Sequence, residues 1–168
     1  MKPQVFIVTG LPGTGKSTLA KALEEAFAAE HLSTDRIRTE TGLRGQYGEA
    51  AKEAIYVIML QEADSFLAMN KGIVLDGTFY LQKHRDAFDK MAHKWAIDPV
   101  WIEVKADEAI IRERMSKKRE FSEANYDVYL DIKDIWEPMT GDHIVLWSDR
   151  MPTKEMIEVV RAEIPEKV

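Results

Sequence analysis

Nine residues, Gly10-Leu11-Pro12-Gly13-Thr14-Gly15-Lys16-Ser17-Thr18, carry the strongest chemical signal in the chain. Gly10, Gly15, Lys16 and Ser17 satisfy the spacing G-x-x-x-x-G-K-[ST], which cradles phosphate. Glycines let the backbone turn tightly enough to aim successive N–H groups at one point. The helix that follows adds its positive N-terminal end. A lysine at position 16 reaches the β- and γ-phosphates of a nucleoside triphosphate, and the Ser17 hydroxyl suits Mg2+. Gly10, Gly13, Thr14, Gly15, Lys16, Ser17 and Thr18 are therefore the expected nucleotide-binding residues. ATP is the expected nucleotide. Asn70-Lys71 begins like a guanine-reading motif, but Ile73 stands where its aspartate belongs.

Two acids follow short apolar runs, and in an open parallel sheet such strand ends face the ligand. Asp76, in Ile73-Val74-Leu75-Asp76-Gly77-Thr78, is placed to hold Mg2+ directly or through water. Asp35, in Ser33-Thr34-Asp35-Arg36-Ile37-Arg38, is placed to take the proton of an attacking hydroxyl, with Arg38 one helical turn on to hold the acceptor. The bland alternative for Asp35 is a helix cap. Thr78 is a candidate for the acceptor pocket. Further on, Arg112, Arg114, Lys117, Lys118 and Arg119 crowd together. Arginines in a lid can stabilise the charge spread over a transferring phosphoryl group, and a closing lid excludes water. Arg114 and Arg119 are the expected inward pair, although a solvated face paired with Glu108, Glu113 or Glu120 satisfies the same pattern. His31, His84, His93 and His143 show no ligand spacing and read as ordinary surface or core residues.

The surrounding chain must position these groups. Its 168 residues suit one domain, and a 45% hydrophobic content suffices for a core. With no cysteine there is neither a disulfide nor a thiolate metal site. A formal net charge of −6 and a pI near 5.3 disfavour a general nucleic-acid partner while leaving a nucleic-acid 5′-hydroxyl open as an acceptor. Neither a secretory leader nor an apolar run of the ~20 residues that span a bilayer is evident, so a cytoplasmic location is expected.

Short apolar runs alternate with longer amphipathic ones, the pattern of an α/β fold with a mostly parallel sheet. Strands are expected at 4–9, 31–33, 73–75, 100–104 and 143–146. Helices are expected at 16–30, from Asp35, at 49–70, through Leu81 to Trp95, after Asp107, after Ser122 and from Pro152. Asp107 and Ser122 read as N-caps and Gly72 as a C-terminal cap. Tyr126, Tyr129 and Trp136 read as core packing. The whole is a three-layer α/β/α domain over residues 1–168, with a five-stranded sheet and a helical lid at about 107–125.

Taken together, GLPGTGKST, STDRIR, GIVLDGTF and IIRERMSKKRE make the chain resemble small P-loop kinases of the AAA-family ATPase type. That group includes the 5′-kinase domain of phage polynucleotide kinase, chloramphenicol phosphotransferases, zeta toxins and gluconate kinases. The likeness to the polynucleotide kinase domain implies a general-base role for Asp35, acceptor contact for Arg38, phosphate and metal roles for Lys16 and Ser17, and a lid role for Arg114 or Arg119. Neither a phosphatase domain nor a basic channel accompanies the motifs, which favours a small acceptor. The expected activity is Mg-ATP-dependent transfer of the γ-phosphate to a hydroxyl. A regulatory ATPase that transfers nothing and a nucleoside monophosphate kinase remain the alternatives.

Overall fold

Val5-Phe6-Ile7-Val8-Thr9 is buried along its whole length and forms the central strand, β1 (Val5–Thr9). Its side chains alternate between two cores, because successive residues of a strand point to opposite faces. Val5 and Ile7 join one cluster, Phe6 and Val8 the other. Such a continuous apolar run marks a strand of a parallel sheet covered on both sides.

A computed structural model describes residues 2–117 and 125–164. Four further strands, β2 (Glu30–Ser33), β3 (Ile73–Asp76), β4 (Val100–Lys105) and β5 (Ile144–Trp147), complete the sheet in the order β2-β3-β1-β4-β5. All four pairings are parallel. The helices are α1 (Lys16–Phe27), α2 (Thr34–Glu40), α3 (Glu49–Ala68), α4 (Gln82–Lys94), α5 (Glu108–Met115), α6 (Tyr126–Ile135) and α7 (Thr153–Glu163). Leu19, Leu23, Met156, Ile157 and Val160 of α1 and α7 cover one face of the sheet. Ile55, Tyr56, Met59, Phe88 and Met91 of α3 and α4 cover the other. The expected α/β/α layering is present, and the sheet is wholly parallel among the described residues.

The chain leaves β1 toward β3 and β2 on one side and returns to β4 and β5 on the other. A crevice must open at the carboxyl end of β1, where connections diverge in opposite directions. Gly10, Thr34 and Gly77 follow β1, β2 and β3 directly, so the sequence motifs converge there.

Several helix ends differ from expectation. Helix α3 stops at Ala68, and Asn70, with φ of 59°, takes the left-handed position assigned to Gly72. Asp107 occupies the N-cap of α5, but its carboxylate binds Arg150 at 2.9 Å and caps nothing. Helix α6 is capped by Asn125, whose side chain accepts from the Val128 N–H at 3.0 Å; Ser122 lies outside the described residues. Pro152 is itself the N-cap of α7. Of the aromatic stripe, Tyr129 alone is buried, while the Tyr126 hydroxyl donates to Glu108.

One interior charge braces the fold. Arg85, 2% exposed, donates to the carbonyls of Phe79 and Tyr80 and to those of Glu137 and Pro138. It ties the segment after β3 to the segment after α6.

Candidate active site

The cradle between β1 and α1 takes the backbone its glycines allow. Gly10 and Gly13 have φ of 152° and 80°, in a region where side chains are strained. A Cβ on Gly10 would overlap the Val104 carbonyl, and one on Gly13 would sit 2.9 Å from Ile111 and 3.0 Å from Met115. Helix α5 therefore packs directly onto the loop. Lys16, at the first position of α1, donates from Nζ to the Leu11 carbonyl at 3.0 Å, and Thr14 donates to the same oxygen at 2.9 Å. Thr18, on the first turn of α1, lines the cleft with Lys16 and Ser17.

At the end of β3, Asp76 is 3% exposed and accepts from the Ser17 hydroxyl at 2.9 Å. Strand pairing puts Ser33 level with Asp76, so β2 and β3 end side by side. His31 comes from β2 to place Nε2 3.3 Å from the same Asp76 oxygen, with Nδ1 3.9 Å from Glu24. His31 thus faces this site, contrary to the bland reading from sequence. The hydroxyl and carboxylate pair of Ser17 and Asp76 supplies the hard oxygen donors that suit Mg2+.

Across the cleft, Ser33 caps α2 by accepting from the Arg36 N–H. That cap leaves the Asp35 carboxylate to point into the cleft, which counts against Asp35 as a mere cap. Asp35 receives a hydrogen bond from Arg38 at 2.6 Å, the two lying one helical turn apart. Burial pushes the Asp35 carboxyl above its ordinary value against the opposing pull of Arg38, while Asp76 pushes it up further and Lys16 pulls it down. Arg38 is itself buried; its Nε donates to the Gln46 carbonyl at 3.1 Å and its guanidinium stacks 4.5 Å from the Tyr47 ring.

The far wall comes from α3 and the segment after β3. Lys52 and Tyr56 line the cleft from α3. Tyr56 accepts from the Phe79 N–H at 3.0 Å and bonds the Thr78 side chain; burial pushes its phenol up to about 12, so it stays neutral. Thr78 lines the cleft, and its carbonyl accepts from Thr9 at 2.6 Å. The cradle, the Ser17–Asp76 pair, the Asp35–Arg38 pair and this wall enclose one cleft of about 730 Å³.

The basic stretch is divided in its contacts. Arg114 reaches the cradle, donating to the carbonyls of Gly13 at 3.3 Å and Thr14 at 3.1 Å and to Ser148 at 2.9 Å. Arg112 stacks 5.0 Å from the Tyr126 ring, and Lys117 is exposed. Glu108 pairs with Lys133 of α6 at 2.8 Å rather than with its own helix alone. Lys118 and Arg119 lie outside the described residues, as does Glu120.

Residues 5–138 match the family model described as an AAA domain. The chain belongs to this AAA domain family. An uncharacterized protein of Mycobacterium tuberculosis is 36% identical to this chain over 88 residues, 45% of this chain and 18% of that protein. The match thus spans a small part of that longer relative. An adenylate kinase of Hydrogenobaculum sp. is 29% identical over 139 residues, 74% of this chain and 65% of that enzyme. Among solved structures, a sugar kinase of Janibacter sp. superposes with a TM-score of 0.74 at 15% identity, covering 95% of this chain and 93% of that one. The Mycobacterium tuberculosis APS kinase in complex with AMPPNP and APS gives 0.73 at 17% identity, with 96% and 98% covered. Chaetomium thermophilum Kti12 in complex with ADP-AlF3 gives 0.73 at 17% identity, with 96% and 100% covered. The chain therefore has the fold of these P-loop kinases.

Ser148, His31 and Lys52 are among the cleft residues that escaped the sequence reading. Ser148, at the end of β5, both donates to the Thr14 carbonyl and accepts from Arg114, and no motif marks it. His31 was visible only as an isolated histidine. Lys52 left a legible trace: it begins the stripe Lys52, Ile55, Tyr56, Met59, whose other members are core. His84 does meet Glu49 and Glu53, their ligand atoms all within 4.8 Å of one another. The Lys83 ammonium already occupies both carboxylates, at 2.8 and 2.9 Å.

Proposed function

We propose that this protein is a Mg-ATP-dependent phosphotransferase acting on a hydroxyl acceptor. The observation that carries the reading is Asp35, held by Arg38 in the cleft that Lys16, Ser17 and Asp76 also line. The loop N–H groups and Lys16 hold the phosphates of ATP, and Ser17 and Asp76 hold Mg2+. When bound, that ion neutralises charge on the β- and γ-phosphate oxygens.

The acceptor oxygen attacks the γ-phosphorus, the bond from that phosphorus to the bridging oxygen breaks, and ADP leaves. The acceptor proton goes to Asp35. A raised carboxyl is the stronger base, and the Arg38 contact keeps it ionised and oriented. Arg114 steadies the cradle through its two carbonyls, and a lid arginine such as Arg119 stabilises the transferring phosphoryl group.

Kinases among the fold neighbours and adenylate kinases among the relatives support this reading. The adenylate kinases also favour a second one, a nucleoside monophosphate acceptor, whose nucleophile is already ionised and needs no base. Asp35→Asn separates the two. On a hydroxyl acceptor the variant keeps ATP binding and loses transfer from γ-labelled ATP by about 10²- to 10⁴-fold. Undiminished transfer to a nucleoside monophosphate would favour the second reading. ATP hydrolysis equal to wild type, with no labelled product on any acceptor, would favour a regulatory ATPase.

A further inference from the structure

The proposed transfer leaves one nearly buried side chain of the cleft without a task. His31, on the edge strand β2, lines the cleft with a side chain 7% exposed. Strand register pairs it with Val74, which packs on the face of the sheet covered by α1 and α7. His31 lies on that same face, two residues before Ser33, as Val74 lies two before Asp76. Burying an imidazole costs stability unless its nitrogens find partners. The partner of Nε2 is Asp76 Oδ2, at 3.3 Å. The same oxygen accepts from the Ser17 hydroxyl at 2.9 Å. A carboxylate only accepts, so Nε2 is the nitrogen that carries the proton toward it. At the other edge of the ring, Nδ1 stands 3.9 Å from the half-exposed Glu24 of α1, beyond hydrogen-bond reach.

We infer that His31 is a positioning residue for the Ser17–Asp76 metal pair: its Nε2–H holds the Asp76 carboxylate with Oδ2 turned toward Ser17. The inference deepens the phosphotransferase reading and rests on it for the assignment of Mg2+ to these two residues. The terminal torsion of an aspartate is broad, so a carboxylate at a strand end does not fix its own direction. Ser17 pulls on Oδ2 from α1, and His31 pulls on it from β2. The oxygen is thus held between a helix and a neighbouring strand. Hydrogen bonds behind a metal-binding carboxylate orient it and set its affinity for the ion. His31 itself offers the ion no lone pair, since Nε2 is protonated toward Asp76 and Nδ1 faces Glu24. The competing role is a brace, in which the bond to Asp76 only fastens β2 to β3 and has no bearing on metal.

Nucleotide binding tests this without any acceptor. Calorimetry measures the AMP-PNP dissociation constant in EDTA and in Mg2+, and the ratio of the two is the contribution of the ion. A general loss of nucleotide affinity cancels in that ratio. His31→Leu, and His31→Asn with an amide too short to reach Asp76, should lower the ratio toward one, by about tenfold. His31→Gln, whose amide N–H reaches the place of Nε2, should restore most of it. Thermal unfolding shows which variants are folded, and the Asn and Gln pair decides the matter if Leu is not tolerated. A ratio in His31→Asn equal to that of wild type overturns the inference, as does a loss that Gln does not restore. With Mn2+ in place of Mg2+, electron spin echo spectra should hold no nitrogen coupling that His31→Asn removes. Such a coupling would make His31 a ligand and overturn the positioning role. If wild type binds AMP-PNP equally well with and without Mg2+, the metal pair falls, and this inference and the phosphotransferase reading fall with it. A ratio that depends on His31, together with no transfer to any acceptor, leaves His31 in its role and removes the phosphotransferase reading alone.

Discussion

Lys52 is expensive where it stands. Burial first, and the nearby Arg38 charge second, push its ammonium down to about 8 from an ordinary 10.5, with Glu49 pulling the other way. The Tyr80 ring lies against it, 3.9 Å from ammonium to centroid. A lysine whose folded value is depressed destabilises the fold fully below pH 8, and stability recovers as pH rises from 8 toward 10.5. Lys52→Met should therefore stabilise the protein at pH 7 by about 1 to 3 kcal/mol, the upper figure being the whole shift and the lower allowing for the lost ring contact. The gain should shrink toward zero near pH 10.5, as urea unfolding at the two pH values would show. Residues such as Lys16, Asp35 and Asp76 were legible because each sits in a short motif whose neighbours fix its place on a strand end. Lys52 and Ser148 belong to no such motif, since helix packing and strand order bring them to the cleft from distant parts of the chain.

At the scale of elements, the strands were read almost to the residue, because a buried parallel strand announces itself as an unbroken apolar run. Helix ends were read less well. Asn125 caps α6 without a motif to mark it, and Tyr126 and Lys133 of that helix both meet Glu108 of α5, contacts that strand and helix periodicity do not announce. The same helix α5 rests on the cradle through Ile111 and Met115. Gly13→Ala should therefore act on two elements at once. The left-handed backbone alone costs about 1 kcal/mol or more, and the added methyl pushes α5 off the loop. The expected result is a lowered unfolding midpoint together with weakened AMP-PNP binding by calorimetry. A variant with normal affinity would show that α5 does not shape the cradle.

On the scale of the whole molecule, Arg85 joins parts that the sequence separates widely. Replacing it with Met should cost about 3 kcal/mol or more, because buried carbonyls at Phe79, Tyr80 and Glu137 lose their donor; urea unfolding would report it. The sheet order has a further consequence, for how the chain is made. Strand β1 emerges first, yet its neighbours are Ile73–Asp76 on one side and Val100–Glu103 on the other. Closing such long loops delays the pairing, and meanwhile an apolar segment waits without a partner. The cradle hangs from that strand and meets the Val104 carbonyl at Gly10. Ribosome-stalled chains should therefore fail to capture a photoreactive ATP analogue until β4 has left the exit tunnel, so that during synthesis the first motif to be translated is among the last to work.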